Sequence, residues 1–218
     1  MRTVGSKRDT TWPVIRNTAI QLIHKLGYDG MNVRLLASET NLQPGSLYNY
    51  FKSKEELLSM IVCAIMEDLL GEITARLELC NTPVDRLKCF IDVMVTWHTE
   101  HRKEAFVAHM EIRNVSRGRY QEYVDLRQAF RTILEGILTD GGKAGDFAID
   151  DLDITCLSIL STLAAIPNWY RENGRLTSAD LVRWHIAAIF RMIGASETAM
   201  AAAVKNRGPK PAAKRAQG

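Results

Sequence analysis

The stretch GYDGMNVRLLASETNLQPGSLYNYFKSKEELL, residues 27–58, decides the fold. Gly27 stands where a preceding helix would end in the left-handed region. Asn32 is a strong helix N-cap residue, so a short helix is expected from Val33 to about Thr40. Pro44 suits the first turn of the next helix, which is expected to run to about Phe51, because the N–H it lacks would be unpaired there anyway. Between the two, Thr40-Asn41-Leu42-Gln43 must turn, and Asn41 is the residue that accepts positive φ at least cost. Val33, Leu36, Ala37, Leu42, Leu47 and Phe51 can close a small core that holds the two helices at one angle. Gly45 and Ser46 keep the leading face of the second helix small enough to approach a groove floor. The pattern is a helix-turn-helix whose second helix has the build of a recognition helix.

Outward from this stretch the period stays helical. Ile15, Ala19, Leu22 and Leu26 repeat at helical spacing behind Thr10-Thr11, with Pro13 expected in the first turn. Ser53-Lys54-Glu55-Glu56 is a capping box that opens a long helix towards Leu79. Pro83 opens another to about Glu100, and weaker helical patterns cover 103–115 and 119–140. Gly141-Gly142 and Gly145 are expected to break the chain. Asp150 to about Glu172 reads as one helix kinked at Pro167 and stopped by Asn173-Gly174. Thr177 to Asp180 is a second capping box, with a helix to about Ala195. No alternating β-branched run with hairpin turns occurs. The expectation is an all-α protein: an N-terminal three-helix helix-turn-helix domain over 1–54, a larger helical domain over 55–200, and a basic tail over 201–218 that reads as disordered.

Charge divides the chain in the same places. Residues 1–54 hold eight Lys/Arg against three Asp/Glu, a balance of +5. Residues 205–218 hold five Lys/Arg and no acid, whereas 55–204 hold 15 basic and 22 acidic residues, a balance of −7. A basic head on an acidic body points to one domain that meets a polyanion, double-stranded DNA in view of the motif. No run of 18 uninterrupted apolar residues predicts a membrane span, and no apolar run behind the N-terminal charges predicts a signal peptide. Cys63, Cys80, Cys89 and Cys156 form no CxxC pair and read as inert, reduced thiols. His98 and His101 share a helix face, but with His109 they lack a completing ligand, so no metal is expected. No Gly-x-Ser-x-Gly, phosphate loop or dinucleotide fingerprint is present, so neither a catalytic residue nor a cofactor is assigned, and the chain does not read as an enzyme.

The residues Gly27-Tyr28, Val33, Leu36-Ala37, Leu42, Gly45, Leu47-Tyr48, Tyr50-Phe51, Ser53-Lys54 and Leu57 resemble the DNA-binding pattern of the TetR family of bacterial regulators. Asn32, Thr40 and Asn41 depart from that pattern, and Asn performs the same capping and turning; Gln43 in the capping slot is unusual. The resemblance implies a cytoplasmic bacterial regulator. It implies phosphate contacts from Tyr48 and Tyr50, and from Lys54 at a helix N-terminus. Arg34 is placed to reach a base edge or a phosphate. Gln43, Ser46 and Asn49, on the helix opened by Pro44 and Gly45, are the candidates for reading bases, since amides and hydroxyls match groove donors and acceptors.

For the acidic body, the same resemblance implies a helical effector domain and a homodimer paired through its last two long helices. The block from Asn168 to Thr177 and the region around Tyr123 and Arg127 are similar to TetR-type regulators of fatty-acid and steroid breakdown, which respond to acyl-coenzyme A thioesters. That likeness implies a pocket drawn from Trp97, Phe106, Met110, Arg113, Tyr123, Arg127, Trp169 and Tyr170. Residues 102–131 hold seven basic groups against four acids, a balance suited to coenzyme A phosphates and equally to surface ion pairs. The expected function is a repressor that binds a palindromic operator as a dimer and is released by such a ligand. An activator, or a regulator with no small-molecule effector, fits the same residues.

Overall fold

The computed structural model describes residues 5–110 and 117–205. They are helical with no strand among the described residues, and fall into two compact units: residues 5–70 with 100–110 and 117–129, and 71–99 with 130–205.

In the first unit α1 (Gly5–Gly30) starts before the Thr10-Thr11 cap, so Pro13 lies inside the helix and not in its first turn. Pro13 and its neighbour Val14 are on the exposed side, where the hydrogen bond proline cannot make costs least. Regular helix ends at Gly27, with φ +73°, and a single turn to Gly30 follows. Next come α2 (Val33–Glu39), α3 (Pro44–Leu47) and the first part of α4 (Lys54–Leu77). The helical path beyond Leu47 tightens: the N–H groups of Asn49 and Tyr50 donate to carbonyls three residues back, so α3 is shorter than the pattern to Phe51 predicts. Ile15, Ala19, Ile23, Met31, Leu36, Ala37, Leu47, Phe51, Leu57 and Leu58 are buried and form the core of this end. α6 (Arg102–Met110) and the first half of α7 (Tyr120–Lys143), preceded by a 3-10 turn over Arg117–Arg119, complete the unit.

The second unit is built around α5 (Pro83–Glu100), which buries residues on most of its faces, as a central helix must. α7 runs through Gly141-Gly142 and ends at Lys143, correcting the expected break. A Cβ at Gly141 would lie 2.1 Å from the Phe147 ring, so this glycine makes room for a returning side chain while Gly145, at φ +75°, makes the turn. The expected long helix over 150–172 is two: α8 (Leu152–Ala164), capped by Asp151, and the short α9 (Ile166–Trp169), with extended backbone at Tyr170. Pro167 stands in the first turn of α9, where proline is tolerated, and so marks a restart in place of a kink. α10 (Ser178–Met192) opens on the Thr177/Asp180 capping box. α11 (Glu197–Lys205) lies beyond the last expected helix and crosses into the expected tail at 201. Alanine is the best helix former, the Ser196 hydroxyl accepts from Ala199 N–H, and Ala199 and Ala203 are buried at i,i+4. Residues 206–218, the rest of the basic tail, lie outside the described residues.

Candidate nucleic-acid interface and effector-side residues

α3 follows a turn held by backbone and side-chain hydrogen bonds. The Asn32 carboxamide accepts from Leu35 N–H at 2.9 Å and starts α2. Thr40 closes it, its hydroxyl donating to the Leu36 carbonyl at 2.7 Å. Asn41 adopts φ +54°, the one positive-φ residue other than glycine among those described, and Leu42 N–H then returns to the Ala37 carbonyl at 2.9 Å. Gln43 is the N-cap of α3 with extended backbone, its side chain makes no capping bond, and the residue is exposed. Pro44 and Gly45 are exposed, and nothing approaches a Cβ placed on Gly45 within 4 Å.

Around this turn the side chains sort cleanly. Leu47 and Phe51 are buried; Tyr48, between them in sequence, is 53% exposed, and its ring leans on Phe51 at 6.2 Å. Arg34, Gln43 and Asn49 are exposed, while Ser46 and Tyr50 are half-buried. A rigid apolar anchor thus carries a polar outer surface, which is what recognition of a hydrated groove requires.

Lys54 is engaged within the unit. Its ammonium lies 4.1 Å from the centroid of the Tyr28 ring and donates to the Asp29 carbonyl at 3.4 Å, tying the start of α4 to the turn after α1. The α4 N-terminus is also occupied: Ser53 Oγ accepts from Glu56 N–H, and the Glu56 carboxylate accepts from Lys52 N–H at 2.6 Å. Hydrogen bonds from its own backbone and from the Ser53 hydroxyl hold the Glu55 carboxyl below its usual range. Glu55 and Glu56 thus accept from backbone N–H groups at the start of α4.

The residues named for the pocket divide between the units. Phe106, Tyr123 and Arg127 belong to the first, Trp97, Trp169 and Tyr170 to the second. Arg113 and the Met110 side chain lie outside what is described. Tyr123 is buried under Arg127, whose guanidinium sits 5.8 Å from its ring centroid; burial raises the phenol's pKa against the pull of that guanidinium. Trp97 and Tyr170 are buried, whereas Trp169 is 48% exposed and stacks on His185. Two of the basic groups are already paired, Arg119 with Glu122 and Arg131 with Glu135 and Asp153. His98 Nδ1–H donates to the Met94 carbonyl, and no cluster of three metal-ligating groups occurs among the described residues.

Sequence reasoning missed the packing of α6 on α1. The Phe106 ring meets His24 edge-on at 5.2 Å, and Lys103 donates to Gln21. Burial, then the charges of Lys103 and Arg102, lower the pKa of His24. These side chains sit on exposed or half-exposed positions of two separate helical patterns, and no local signal pairs them.

Residues 15–61 match the family model described as bacterial regulatory proteins of the tetR family, and residues 80–193 match the one described as a tetracyclin repressor-like C-terminal domain. The transcriptional repressor KstR2 of Rhodococcus jostii is 25% identical over 177 residues, covering 78% of this chain and 85% of the relative. A tetR-family regulatory protein from Rhodococcus RHA1 superposes with a TM-score of 0.78 at 28% identity, over 86% of this chain and 98% of that one. AibR, solved in complex with isovaleryl coenzyme A and operator DNA, gives a TM-score of 0.74 at 21% identity, over 85% and 100% of the two chains.

Proposed function

Since the chain belongs to the TetR family of bacterial regulatory proteins, we propose that it is a homodimeric repressor which holds a palindromic operator and lets go when an acyl-coenzyme A thioester binds. The observation that carries the DNA half is the outer face of α3. Gln43, Ser46, Tyr48 and Asn49 surround a helix anchored by buried Leu47 and Phe51, with Arg34 exposed on α2. Gln43 and Asn49 read bases, and Tyr48 and Tyr50 bind phosphates through their hydroxyls. Lys54 acts as a positioning residue, through its hold on Tyr28 and Asp29.

A second copy is supported by apolar side chains left in solvent. Ile154 and Leu157 on α8, Trp169 on α9, and Trp184 and Met192 on α10 are all exposed. By composition the window Leu152–Trp169 is apolar enough to cross a membrane, but its helix breaks at Ala165 and Ser161, Thr162 and Asn168 are among its exposed residues. Pairing with a like surface accounts for these exposed side chains, and the reading is of a cytoplasmic protein.

The ligand class is supported by AibR, whose complex holds an acyl-coenzyme A together with operator DNA, and by the exposed Arg127 beside Tyr123. Because Arg119 and Arg131 are already paired, Arg127 is the guanidinium best placed for a phosphate. The α6–α1 contact offers the route of coupling, since Phe106 touches the first helix of the DNA-binding segment directly. An effector acts only through its different affinity for the two states.

Fluorescence anisotropy on DNA from upstream of the protein's own gene, at two salt concentrations, tests this reading. Binding should weaken steeply with salt and be lost on adding one thioester but not free coenzyme A. Binding indifferent to every thioester would remove the effector class and leave the DNA-binding regulator.

A further inference from the structure

Arg76, in the last turn of α4, pairs with Asp92 of α5 at 2.5 Å. In a helical hairpin, one turn towards the connecting loop on each arm brings the next two residues face to face. From Arg76 that step reaches Cys80, and from Asp92 it reaches Cys89. The Cys80 side chain follows this register, its thiol donating to the Arg76 carbonyl at 3.6 Å, and Cys80 is the neighbouring group that acts most strongly on the Cys89 thiol. Both are free thiols; Cys80 is partly exposed beside the loop, and Cys89 is buried.

We propose that Cys80 and Cys89 form an oxidation site, in which a hydroperoxide converts the two thiols into an intramolecular disulfide closing the α4–α5 turn. Cys80, the sulfur a small oxidant can reach, attacks the peroxide. Its S–O bond forms, the O–O bond breaks, and with hydrogen peroxide one water leaves carrying the thiol proton. Cys89 then attacks the sulfenic sulfur; the S–S bond forms, the S–O bond breaks, and the Cys89 proton leaves with the hydroxyl as a second water. Two thiols are oxidised by two electrons and one peroxide is reduced. Burial, followed by the neighbouring Cys80, pushes the Cys89 thiol up to about 12. Exposure makes Cys80 the first to react, and the closeness of the two residues across the turn makes the second step effectively unimolecular.

Treating the full-length protein with hydrogen peroxide, alkylating the remaining thiols and digesting with trypsin decides the matter. Cleavage after Arg76, Arg86, Lys88 and Arg102 isolates Cys80 and Cys89 on separate peptides, 77–86 and 89–102. The expected result is these two peptides joined, two of the four thiols lost, and full reversal by dithiothreitol. Cys80→Ser should abolish the link, and Cys89→Ser should leave Cys80 labelled by dimedone as a sulfenic acid. Cys80 accumulating as sulfinic acid, or bridging two chains, while wild-type Cys89 remains alkylatable would overturn the proposal. So would a peptide pattern identical to that of the untreated protein.

Discussion

The outer face of α3 and the exposed side chains of α8 to α10, the two surfaces proposed to meet partners, have opposite chemistry. Around α3 the exposed groups are polar, with Tyr48 carrying its hydroxyl on a half-exposed ring, while Leu47 and Phe51 are turned inward. On α8 to α10 the large side chains are the exposed ones: Ile154 at 63% and Trp184 at 66%. The first surface can discriminate, because its amides and hydroxyls keep their water until matched donors and acceptors replace it. The second can only associate, with a strength that follows apolar area and packing and depends little on salt. On the proposed function, specificity and dimer affinity reside on different helices and should come apart under mutation.

Phe51→Ala should have the largest effect. Phe51 is 1% exposed and supports the Tyr48 ring, so truncation should cost about 3–5 kcal/mol of stability and abolish operator binding. Urea unfolding and anisotropy measure the two losses, and sedimentation tests whether the dimer survives. Wild-type affinity in this variant would show that the anchor does not position the reading face. Trp184→Glu should do the reverse. It should weaken self-association by about 2 kcal/mol, roughly thirtyfold in Kd, with helicity by circular dichroism unchanged. A dimer as tight as wild type would exclude this face as the contact.

How much could be read from the sequence follows from how local each cause is. The caps at Asn32, Ser53 and Thr177 and the turn at Asn41 are decided within four residues, and the structure has them where the sequence reading puts them. Gly141 misleads because its cause, the Phe147 ring, comes from beyond the next turn. Pro167 misleads because the same residue can kink one helix or begin another, and only the packing around Ile166 and Tyr170, both buried, chooses. α11 was obscured by the basic residues after it, and the buried Lys88, whose ammonium reaches the Ala202 carbonyl at 3.0 Å, is a contact across 114 residues. At the candidate site the exposure of Gln43, Tyr48 and Asn49 was legible because the motif is compact. The engagement of Lys54 with Tyr28 was not, since it joins residues 26 positions apart whose types allow many other partners.

The smallest effect distinguishes the turn from the face it supports. Asn41 holds φ +54° without a glycine's freedom, and its side chain is exposed. Asn41→Ala keeps the strained backbone and loses the residue type best suited to it, so it should destabilise by about 1 kcal/mol. Asn41→Gly relieves the strain but adds unfolded-state entropy of similar size, leaving stability within about 0.5 kcal/mol of wild type. Chemical denaturation of the three proteins gives both differences. Because neither substitution touches Gln43 or Asn49, operator preference should be unchanged in both variants even where affinity falls with stability. A shift in preferred bases on Asn41→Gly would mean that the turn sets the recognition angle and that the α3 side chains read only at that angle.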